Sequence, residues 1–387
     1  MRFRFTDEQR MLQESAERFL LEHSPPAVAR AVAKAPAGLD LSLWQQVTST
    51  LGWQAVVVPE DHDGLGLGVV ELAVLLEQAG ARLSPIPLHA CALSALALRA
   101  TPESPMRDRL MQSIASGAIV SLAHTSARPY WDDRGIDVRA TQADANWRLN
   151  GSARFVSGGA AAAYLLVVAR VDAAIGLFAV PADQAGVLVQ HQVTLDQTRS
   201  MADVTFSDVT LGSDAALALD WRRGLGTTLD LARVLMAAEQ VGCAQQALDM
   251  TLEYVAERIQ FGRTIASFQA VKHKAADMML KVESARSLML YAACTADAWL
   301  RDAVDDTSLQ EAAAMVASSA GDAAFFVTGT GIQLHGGVGI TEEYDIQLYF
   351  KRARALESYL GRPDESRETI AQLLLDEPAL GGAPRAA

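Results

Sequence analysis

The sequence predicts an α+β protein in which a β domain lies between two helical domains. Three observations support this: apolar residues recur at helical spacing up to about residue 117, short β-branched and aromatic runs follow, and long helical patterns return near residue 221. The chain has 387 residues, half of them hydrophobic, which is enough to bury more than one core. We predict an N-terminal all-α domain (1–117), a middle β domain (118–220) and a C-terminal helical bundle (221–387).

The N-terminal domain opens with a clear helix signal. In "TDEQRMLQESAERFLLEH", Thr6 is followed three residues later by Gln9, which predicts a capping box at the start of an amphipathic helix. Pro59 and the glycines of "VVVPEDHDGLGLGVVE" (56–71) predict a loop before the next helix.

The middle domain is predicted from segments such as "WRLNGSARFVSG", "YLLVVARV" and "ADVTFSDVTL", which are separated by Asn-Gly, Gly-Gly and Asp/Ser turn signals. From about Trp221 onward the sequence contains long helical patterns, the last of them after Asp345. Four helices of this length indicate an antiparallel bundle with an apolar centre.

Composition argues against several classes of partner. The net charge of −13 is spread along the chain, so we expect no binding to nucleic acid or to anionic membranes. Cys91, Cys243 and Cys294 are far apart and form no CxxC pair, which argues against a disulfide framework and against a metal site. The N-terminus lacks an apolar signal region, and the apolar run at 160–169 is too short to span a bilayer. We expect a cytoplasmic protein with reduced thiols.

The stretch "ERIQFGRTIASFQAVKHKAADM" (257–278) places two helical patterns around a turn. Arg258, Gln260 and Phe261 at this turn offer a fixed charge, an amide and an aromatic face, which suit a ligand that combines a phosphate with a flat ring. Taken alone, the stretch is also compatible with a capped interhelical turn.

The stretch "GIQLHGGVGITEEYDIQLYFKRA" (331–353) is rich in glycine. Gly336, Gly337 and Gly339 would let the backbone approach a ligand and direct N–H groups at a phosphate. The spacing of a dinucleotide-binding fingerprint is absent, and the preceding segment is helical rather than a strand.

Together these stretches resemble the acyl-CoA dehydrogenase family. "RIQFGRTIASFQAVKHKAADM" is similar to the family's Arg-x-x-Phe-Gly signature, and "QLHGGVGITEE" is similar to its Gln-x-x-Gly-Gly-x-Gly segment. The segments "TDEQR", "VPEDHDGLGLG", "WRLNGSARFVSGGAAAAYLLVVARV" and "TRSMADVTFSDV" also match family elements in the right order. The resemblance implies a helical domain, a β-barrel and a four-helix bundle.

The resemblance implies that FAD binds between the β domain and the bundle, and that a neighbouring subunit completes the pocket for the ADP half. The cofactor-binding residues it implies are Thr125, Ser126, Phe155, Ser157, Arg258, Gln260, Phe261, Gln333, Gly336 and Gly337. Phe155 would pack on the isoalloxazine and Ser157 would lie near its N5 edge. Thr125 and Ser126 belong to "AHTSARPYWDDRG" (123–135), which departs from the usual Thr-Glu-Pro loop of the family.

The resemblance also places Asp230 and Arg233 at the acyl-CoA site, although Arg233 could instead only pair with acids of its own bundle. The reaction implied by the resemblance removes a proton from the carbon α to a thioester carbonyl, and the base that takes this proton must be a carboxylate. Most members place it at the position of Leu360 in "SYLGRPDE", and a smaller group at the position of Ala232 in "DLARV". Both usual base positions are therefore occupied by apolar residues.

Glu239 in "LARVLMAAEQVG" is the acid left in an otherwise apolar segment. It lies seven residues beyond Ala232, about 10 Å along a helix axis. One interpretation is a buried acid paired with a cation such as Lys272, Lys274 or Arg258, and the other is a relocated catalytic base. The loop acids Glu357, Asp364 and Glu365 flank the Leu360 position and stay open as alternatives, and His335 is interpreted as a supporting or core residue.

The resemblance implies an FAD-dependent oxidoreductase that converts an acyl-CoA thioester to the 2-enoyl-CoA, with an electron-transfer flavoprotein as the oxidant of the flavin. The alternative is a catalytically silent subunit that shapes the FAD site for a partner chain carrying the base. Either role implies a homotetramer or a heterotetramer with a related subunit. Lipid or steroid catabolism is the expected setting.

Overall fold

The computed structural model describes residues 5–127 and 130–375. Its N-terminal part is helical, and the helices are α1 Asp7–His23, α2 Pro26–Val32, α3 Leu41–Gln46, α4 Val69–Ala81, α5 Leu88–Arg99 and α6 Pro105–Ala115. The predicted capping box is present, because the Thr6 hydroxyl accepts from Gln9 N and the Gln9 side chain accepts from Thr6 N. This confirms the predicted start of the first helix.

The middle part is a mixed eight-stranded sheet. Its strands are β1 Val120–Ala123, β2 Arg139–Ala143, β3 Asn146–Ser157, β4 Tyr164–Val171, β5 Ala174–Pro181, β6 Val187–Gln192, β7 Met201–Leu211 and β8 Ala216–Ala218. The hydrogen-bonded order is β6-β7-β3-β2-β4-β5-β8, with β1 parallel to β4. The prediction of two helical regions around a sheet is confirmed.

The C-terminal part contains five helices in the described residues, where four were predicted. They are α7 Arg222–Glu257, α8 Gln269–Leu300, α9 Asp306–His335, α10 Ile346–Ser358 and α11 Pro363–Leu375. A two-stranded hairpin, β9 Ile259–Gln260 with β10 Arg263–Thr264, joins α7 to α8. The pattern after Asp345 divides because Leu360 (φ 67°) and Gly361 (φ 107°) leave the helical conformation, and Pro363 then starts α11.

Helix α7 is the central element of the protein. It packs on α4, α5, α8, α9 and α10, and two glycines allow its close approach to α4. A Cβ on Gly80 would lie 2.2 Å from the Glu239 carbonyl oxygen, and one on Gly242 would lie 1.8 Å from that of Glu77. Any larger residue at either position would force the two helices apart.

The segment Asp306–Ile340 is long and apolar enough, by length and composition alone, to cross a membrane. In this structure 61% of its most apolar window is buried, and α9 packs against α7, α8, α10 and α11. A core helix of a bundle has the same composition, so the segment is explained by packing within the protein.

His62 joins the loop after Pro59 to helix α6. Its Nε2 lies 3.0 Å from Asp108 Oδ1 and its Nδ1 lies 2.7 Å from Asp61 Oδ1. The hydrogen bond to Asp108 raises the pKa of His62 above its ordinary value, against the opposing effect of burial and with help from Asp61. The protonated form is therefore favoured by folding.

We expect this contact to make stability depend on pH. Because the pKa of His62 is raised on folding, its contribution is fully present below the pKa of the unfolded chain and is lost as pH rises through the folded value. The free energy of unfolding of the wild type, relative to His62→Gln, should thus fall by about 0.2–1 kcal/mol between pH 6 and pH 9. Asp108→Asn should reduce this pH dependence, measured by urea unfolding; an unchanged dependence would contradict the assignment.

Candidate active site

A cavity of about 510 Å³ opens between the β domain and the C-terminal bundle. Its walls come from the loop around Trp131, the start of α7, the start of α9 and the α10–α11 connection. The residues that line this cavity include Asp230, Arg233 and Leu360. The structure thus brings both predicted substrate-binding residues and one of the two empty base positions to one cavity.

Asp230 and Arg233 lie one helical turn apart on α7 and form an ion pair. Arg233 Nη1 donates to Asp230 Oδ1 at 2.7 Å, and Arg233 Nε donates to the Leu360 carbonyl at 3.1 Å. Burial raises the pKa of Asp230, and the neighbouring Arg233 only partly offsets this. Arg233 therefore fits both interpretations given above, because it pairs with an acid of its own helix and also lines the cavity.

Both usual positions of the base are buried and apolar. Ala232 is 0% exposed and Leu360 is 4% exposed. Leu360 has φ 67°, a left-handed conformation that is uncommon for a residue other than glycine. Its neighbour Tyr359 holds the segment in place, because the Tyr359 hydroxyl donates to the Phe155 carbonyl at 3.4 Å and its ring makes an edge contact with Trp131 at 4.7 Å.

Glu239 is buried within an ion network that the sequence did not predict. It pairs with Arg199, and its Oε2 lies 3.8 Å from Arg352 Nη1. Arg352 in turn pairs with Asp196 and donates to the Thr198 hydroxyl at 2.7 Å. Glu239 is not paired with Lys272, Lys274 or Arg258 in this chain; those suggested partners were wrong, because the segment before β7 and helix α10 bring Arg199 and Arg352 to α7.

The network explains the ionisation of Glu239. Burial by itself raises the pKa of this carboxyl, but Arg199, His89 and Arg352 outweigh burial and leave its pKa below the ordinary value. A catalytic base for an α-proton needs the opposite shift, toward a higher pKa. The geometry therefore supports the structural interpretation of Glu239.

The predicted flavin contacts of the β domain lie near the same boundary. Ser157 is half-buried at the end of β3 and lines a small chamber with Glu239 and Arg199. Phe155 is half-buried, with φ 55° beside an irregularity in the β3–β7 register. Strain of this kind in a strand often accompanies a functional position.

In the loop that departs from the family's usual Thr-Glu-Pro sequence, described side chains donate hydrogen bonds to backbone carbonyls of the same loop. Thr125 is buried, and its hydroxyl donates to the Tyr130 carbonyl at 2.9 Å; Ser126 is half-buried. His124 Nε2 donates to the Asp132 carbonyl at 2.9 Å. Arg128 and Pro129 of this loop lie outside the described residues.

The other predicted FAD residues form a separate group at the far end of the bundle. Arg258, Gln260, Phe261, Gln333, Gly336 and Gly337 are all exposed, and Phe261 is 92% exposed. The end of α7 and the end of α9 are adjacent there, because Tyr254 stacks on His335 with ring centroids 4.3 Å apart. Glu239 and Arg258 are nineteen residues apart on and just after α7, which corresponds to about 28 Å.

One chain therefore does not bring the two groups of predicted FAD residues together. Side chains at the far end are nonetheless suited to a dinucleotide. A Cβ added to Gly336 or Gly337 would meet nothing within 4 Å, so their backbone is open to a ligand. Arg258 supplies a charge that matches a pyrophosphate.

The remaining acids and histidine have identifiable roles. Glu357 pairs with Arg354, Asp364 lies 3.1 Å from Arg362, and Glu365 accepts from Arg362 N and lines the large cavity. His335 is 5% exposed, with Nδ1 at 2.7 Å from the Gly331 carbonyl. In the described residues no group of three or more His, Cys, Asp or Glu is placed to hold a metal ion.

Comparison with known proteins identifies the family. A sequence profile of the acyl-CoA dehydrogenase N-terminal domain matches residues 6–118, and one of the C-terminal domain matches residues 221–375. The chain belongs to the acyl-CoA dehydrogenase family. FAD is the cofactor of this family, and the exposed cluster and the β-domain contacts are compatible with it.

Several relatives match this chain over more than nine-tenths of its length. Acyl-CoA dehydrogenase IpdE2 of Mycolicibacterium smegmatis is 32% identical, over 93% of this chain and 96% of that protein. The ChsE4-ChsE5 complex from Mycobacterium tuberculosis contains a chain that superposes with a TM-score of 0.87 at 27% identity, covering 98% of this chain and 100% of that one. A variant of the Tcur3481-Tcur3483 steroid ACAD gives 0.84 at 28% identity, covering 96% and 98%.

Sequence reasoning missed the residues that surround Glu239. Arg199 and Ser200 lie in "TRSMADVTFSDV", a segment that indicated the family but gave no sign that its arginine meets α7. His89 on α5 was also missed, although a histidine in an otherwise apolar helix was a visible signal.

We expect Arg258→Ala to weaken FAD retention by about tenfold or more, because the pyrophosphate would lose a charge-assisted hydrogen bond. Flavin absorbance after dialysis measures this. Arg263→Ala is the matched control, since Arg263 lies on the hairpin that follows Arg258 and its guanidinium packs over the Phe268 ring. Equal loss in both variants would remove Arg258 from the cofactor site.

We expect Glu239→Gln to lower the free energy of unfolding by about 3–5 kcal/mol, because it leaves the buried Arg199 without its counter-charge. Since the pKa of Glu239 is lowered on folding, this difference should be present above the carboxyl's ordinary pKa and shrink as pH falls through the folded value. Glu253→Gln, at an exposed position of the same helix, should have little effect in the same denaturant titration. Comparable losses would argue against a special role for the buried pair.

Proposed function

We propose that this chain acts in the FAD-dependent α,β-dehydrogenation of an acyl-CoA thioester as a subunit that requires a partner chain to supply the catalytic base. The observation that carries this proposal is the chemistry at the two base positions, where Ala232 and Leu360 are buried and apolar. Glu239 does not replace them, because its carboxylate is held by Arg199 and Arg352.

The large cavity is the proposed binding site for the thioester. Arg233 orients the Leu360 carbonyl and pairs with Asp230, so the wall next to the base position is rigid before a ligand binds. Trp131 and Leu360 are apolar residues of the cavity wall proposed to contact the acyl group, and Tyr359 supports the Trp131 ring through an edge contact. Bound FAD supplies the hydride acceptor, and Phe155 and Ser157 are the residues of this chain proposed to hold its reactive ring.

A partner subunit is proposed because one chain leaves the cofactor site incomplete. Ser157, a predicted flavin contact, lines the small chamber with Glu239, and Glu239 lies about 28 Å along α7 from Arg258; the predicted residues at the Arg258 end are exposed. Apolar side chains surround them, including Ile259 at 62% and Ile340 at 75% exposed. Exposed apolar residues next to an incomplete site favour an interface with a related chain.

The relatives support a heteromeric assembly and a steroid or other lipid substrate. Two similar solved structures are named as complexes or pairs, ChsE4-ChsE5 and Tcur3481-Tcur3483, and the second is called a steroid ACAD. We further propose that an electron-transfer flavoprotein reoxidises the flavin. The alternative, a homomeric enzyme, requires a base that the described residues do not offer at either usual position.

The test is a gain of base at Leu360. The purified chain alone should show almost no turnover of an acyl-CoA panel with an artificial electron acceptor, because general base catalysis contributes roughly a hundredfold to ten-thousandfold. Leu360→Glu should raise turnover, whereas Leu360→Gln, which has the same shape without the base, should not. Robust wild-type turnover that collapses in a folded Glu239→Gln protein would instead make Glu239 the base.

A further inference from the structure

Three aromatic rings meet at the end of the bundle that carries the exposed cluster of predicted FAD residues. Tyr254 of α7 stacks on His335 of α9, with ring centroids 4.3 Å apart and an angle of 18° between the planes. Tyr344, in the segment before α10, makes edge contacts with both rings at centroid distances of 6.2 Å. We call these three residues the aromatic stack. None of them belongs to the cofactor-binding set that the sequence predicts.

The aromatic stack is connected directly to the Arg258 side of the exposed cluster. Arg258 N donates to the Tyr254 carbonyl at 2.9 Å, where α7 ends. The Arg258 side chain is exposed, so its location depends on the backbone from which it extends. A shift of Tyr254 would therefore displace the guanidinium as well.

The aromatic stack is also connected to the glycine side of the cluster. His335 is the last residue of α9 and immediately precedes Gly336 and Gly337. The Tyr254 hydroxyl donates to the His335 carbonyl at 3.2 Å, and His335 Nδ1 donates to the Gly331 carbonyl at 2.7 Å. A Cβ on either exposed glycine would meet nothing within 4 Å, so side-chain packing does not fix their backbone. Their location depends instead on His335.

Two further contacts hold the segment that contains Tyr344. The Asp345 carboxylate accepts from Arg30 Nε of α2 at 3.2 Å, which connects the segment to the N-terminal domain. The Thr341 hydroxyl donates to the Val338 carbonyl at 2.8 Å. The third ring of the stack is thus held from the side that faces away from α7.

The aromatic stack reaches the protein surface and is not sealed within the core. Tyr344 is 39% exposed and Tyr254 is half-buried, and only His335 is buried. A site for a pyrophosphate needs its charge and its N–H groups held at a fixed separation before the ligand arrives, because ordering them during binding costs affinity. The contacts of the stack supply this order at the place where the cluster requires it.

We propose that the aromatic stack positions the exposed cluster for the ADP half of FAD, with His335 fixing the separation between Arg258 and the backbone N–H groups of Gly336 and Gly337. This inference goes beyond the proposed function, since it concerns cofactor affinity and does not depend on the missing base. His335 is a positioning residue, which acts through its neighbours. The property used is a flat ring, because a planar face is what stacking on Tyr254 requires.

The experiment measures FAD affinity by fluorescence titration of the flavin-depleted protein, together with any partner subunit that co-purifies. We expect His335→Ala to raise the Kd for FAD by about tenfold, because the charge and the N–H groups lose their fixed separation. His335→Phe keeps a stacking ring and should stay within about twofold of the wild type.

His23→Ala is the matched control. His23 stacks on Phe19 with ring centroids 4.5 Å apart, and its Nδ1 lies 2.9 Å from the Phe19 carbonyl, so it has the same kind of contacts in the N-terminal helical part. This variant loses a stacked histidine without touching the cluster, and its Kd for FAD should equal that of the wild type. Thermal unfolding without FAD reports whether each variant is folded.

A double-mutant cycle with Arg258→Ala separates positioning from a general loss of stability. In that background His335→Ala should raise the Kd for FAD by about threefold or less, because the charge that His335 positions is already absent. If His335→Ala does not fold, Tyr344→Leu takes its place in the same measurements, with Tyr344→Phe as the variant that keeps the ring.

Unchanged FAD affinity in folded His335→Ala protein, or an equal loss in His335→Phe, would overturn the positioning role. Independent effects of His335→Ala and Arg258→Ala would also overturn it, since a positioning residue must be coupled to the group that it positions. Unchanged affinity in both single variants would remove the whole cluster from the cofactor site. A loss that His335→Phe rescues and that depends on Arg258 would support the inference.

Discussion

The ion pair between Glu239 and Arg199 connects the parts of this protein that form its site. Glu239 belongs to the central helix α7, Arg199 precedes strand β7, and Arg352 on α10 extends the network to Asp196. Two acids and two arginines balance in charge, which makes their burial tolerable. Because each partner comes from a different element, the pairing is complete in only one arrangement of sheet and bundle.

Helix α7 positions the candidate functional residues at both of its ends. At its start it presents Asp230 and Arg233 to the large cavity, and just beyond its end lies the exposed cluster with Arg258. A helix of 36 residues is about 54 Å long, so the two functional regions are held apart by a rigid element. The same helix thus holds the proposed substrate cavity and the predicted cofactor residues around Arg258 at opposite ends of the bundle.

Leu360 combines an apolar side chain with a left-handed backbone conformation. The backbone there still adopts a left-handed conformation, and Arg233, Tyr359 and Trp131 hold the surrounding segment. Maintaining a strained turn with an apolar side chain has no obvious benefit for stability. The contacts of Arg233, Tyr359 and Trp131 maintain this backbone conformation although the side chain at the position is apolar.

The sequence by itself determined the order of the helical and sheet regions, the capping box at Thr6, the family and the apolar character of both base positions. Those features depend on local periodicity or on residue identity, which are readable in one dimension. Asp230 and Arg233, predicted at the acyl-CoA site from the resemblance, line a common cavity because they lie one turn apart on the same helix; their role there stays a prediction.

Only the tertiary structure decided what surrounds Glu239. Its partners Arg199 and Arg352 are 40 and 113 residues away in the chain, and the nearer lysines and arginine that the sequence suggested point elsewhere. The burial of His89 between α5 and α7 was likewise invisible, because it depends on packing between elements remote in sequence. Pairing of buried charges is a property of three-dimensional proximity, and no spacing rule predicts it.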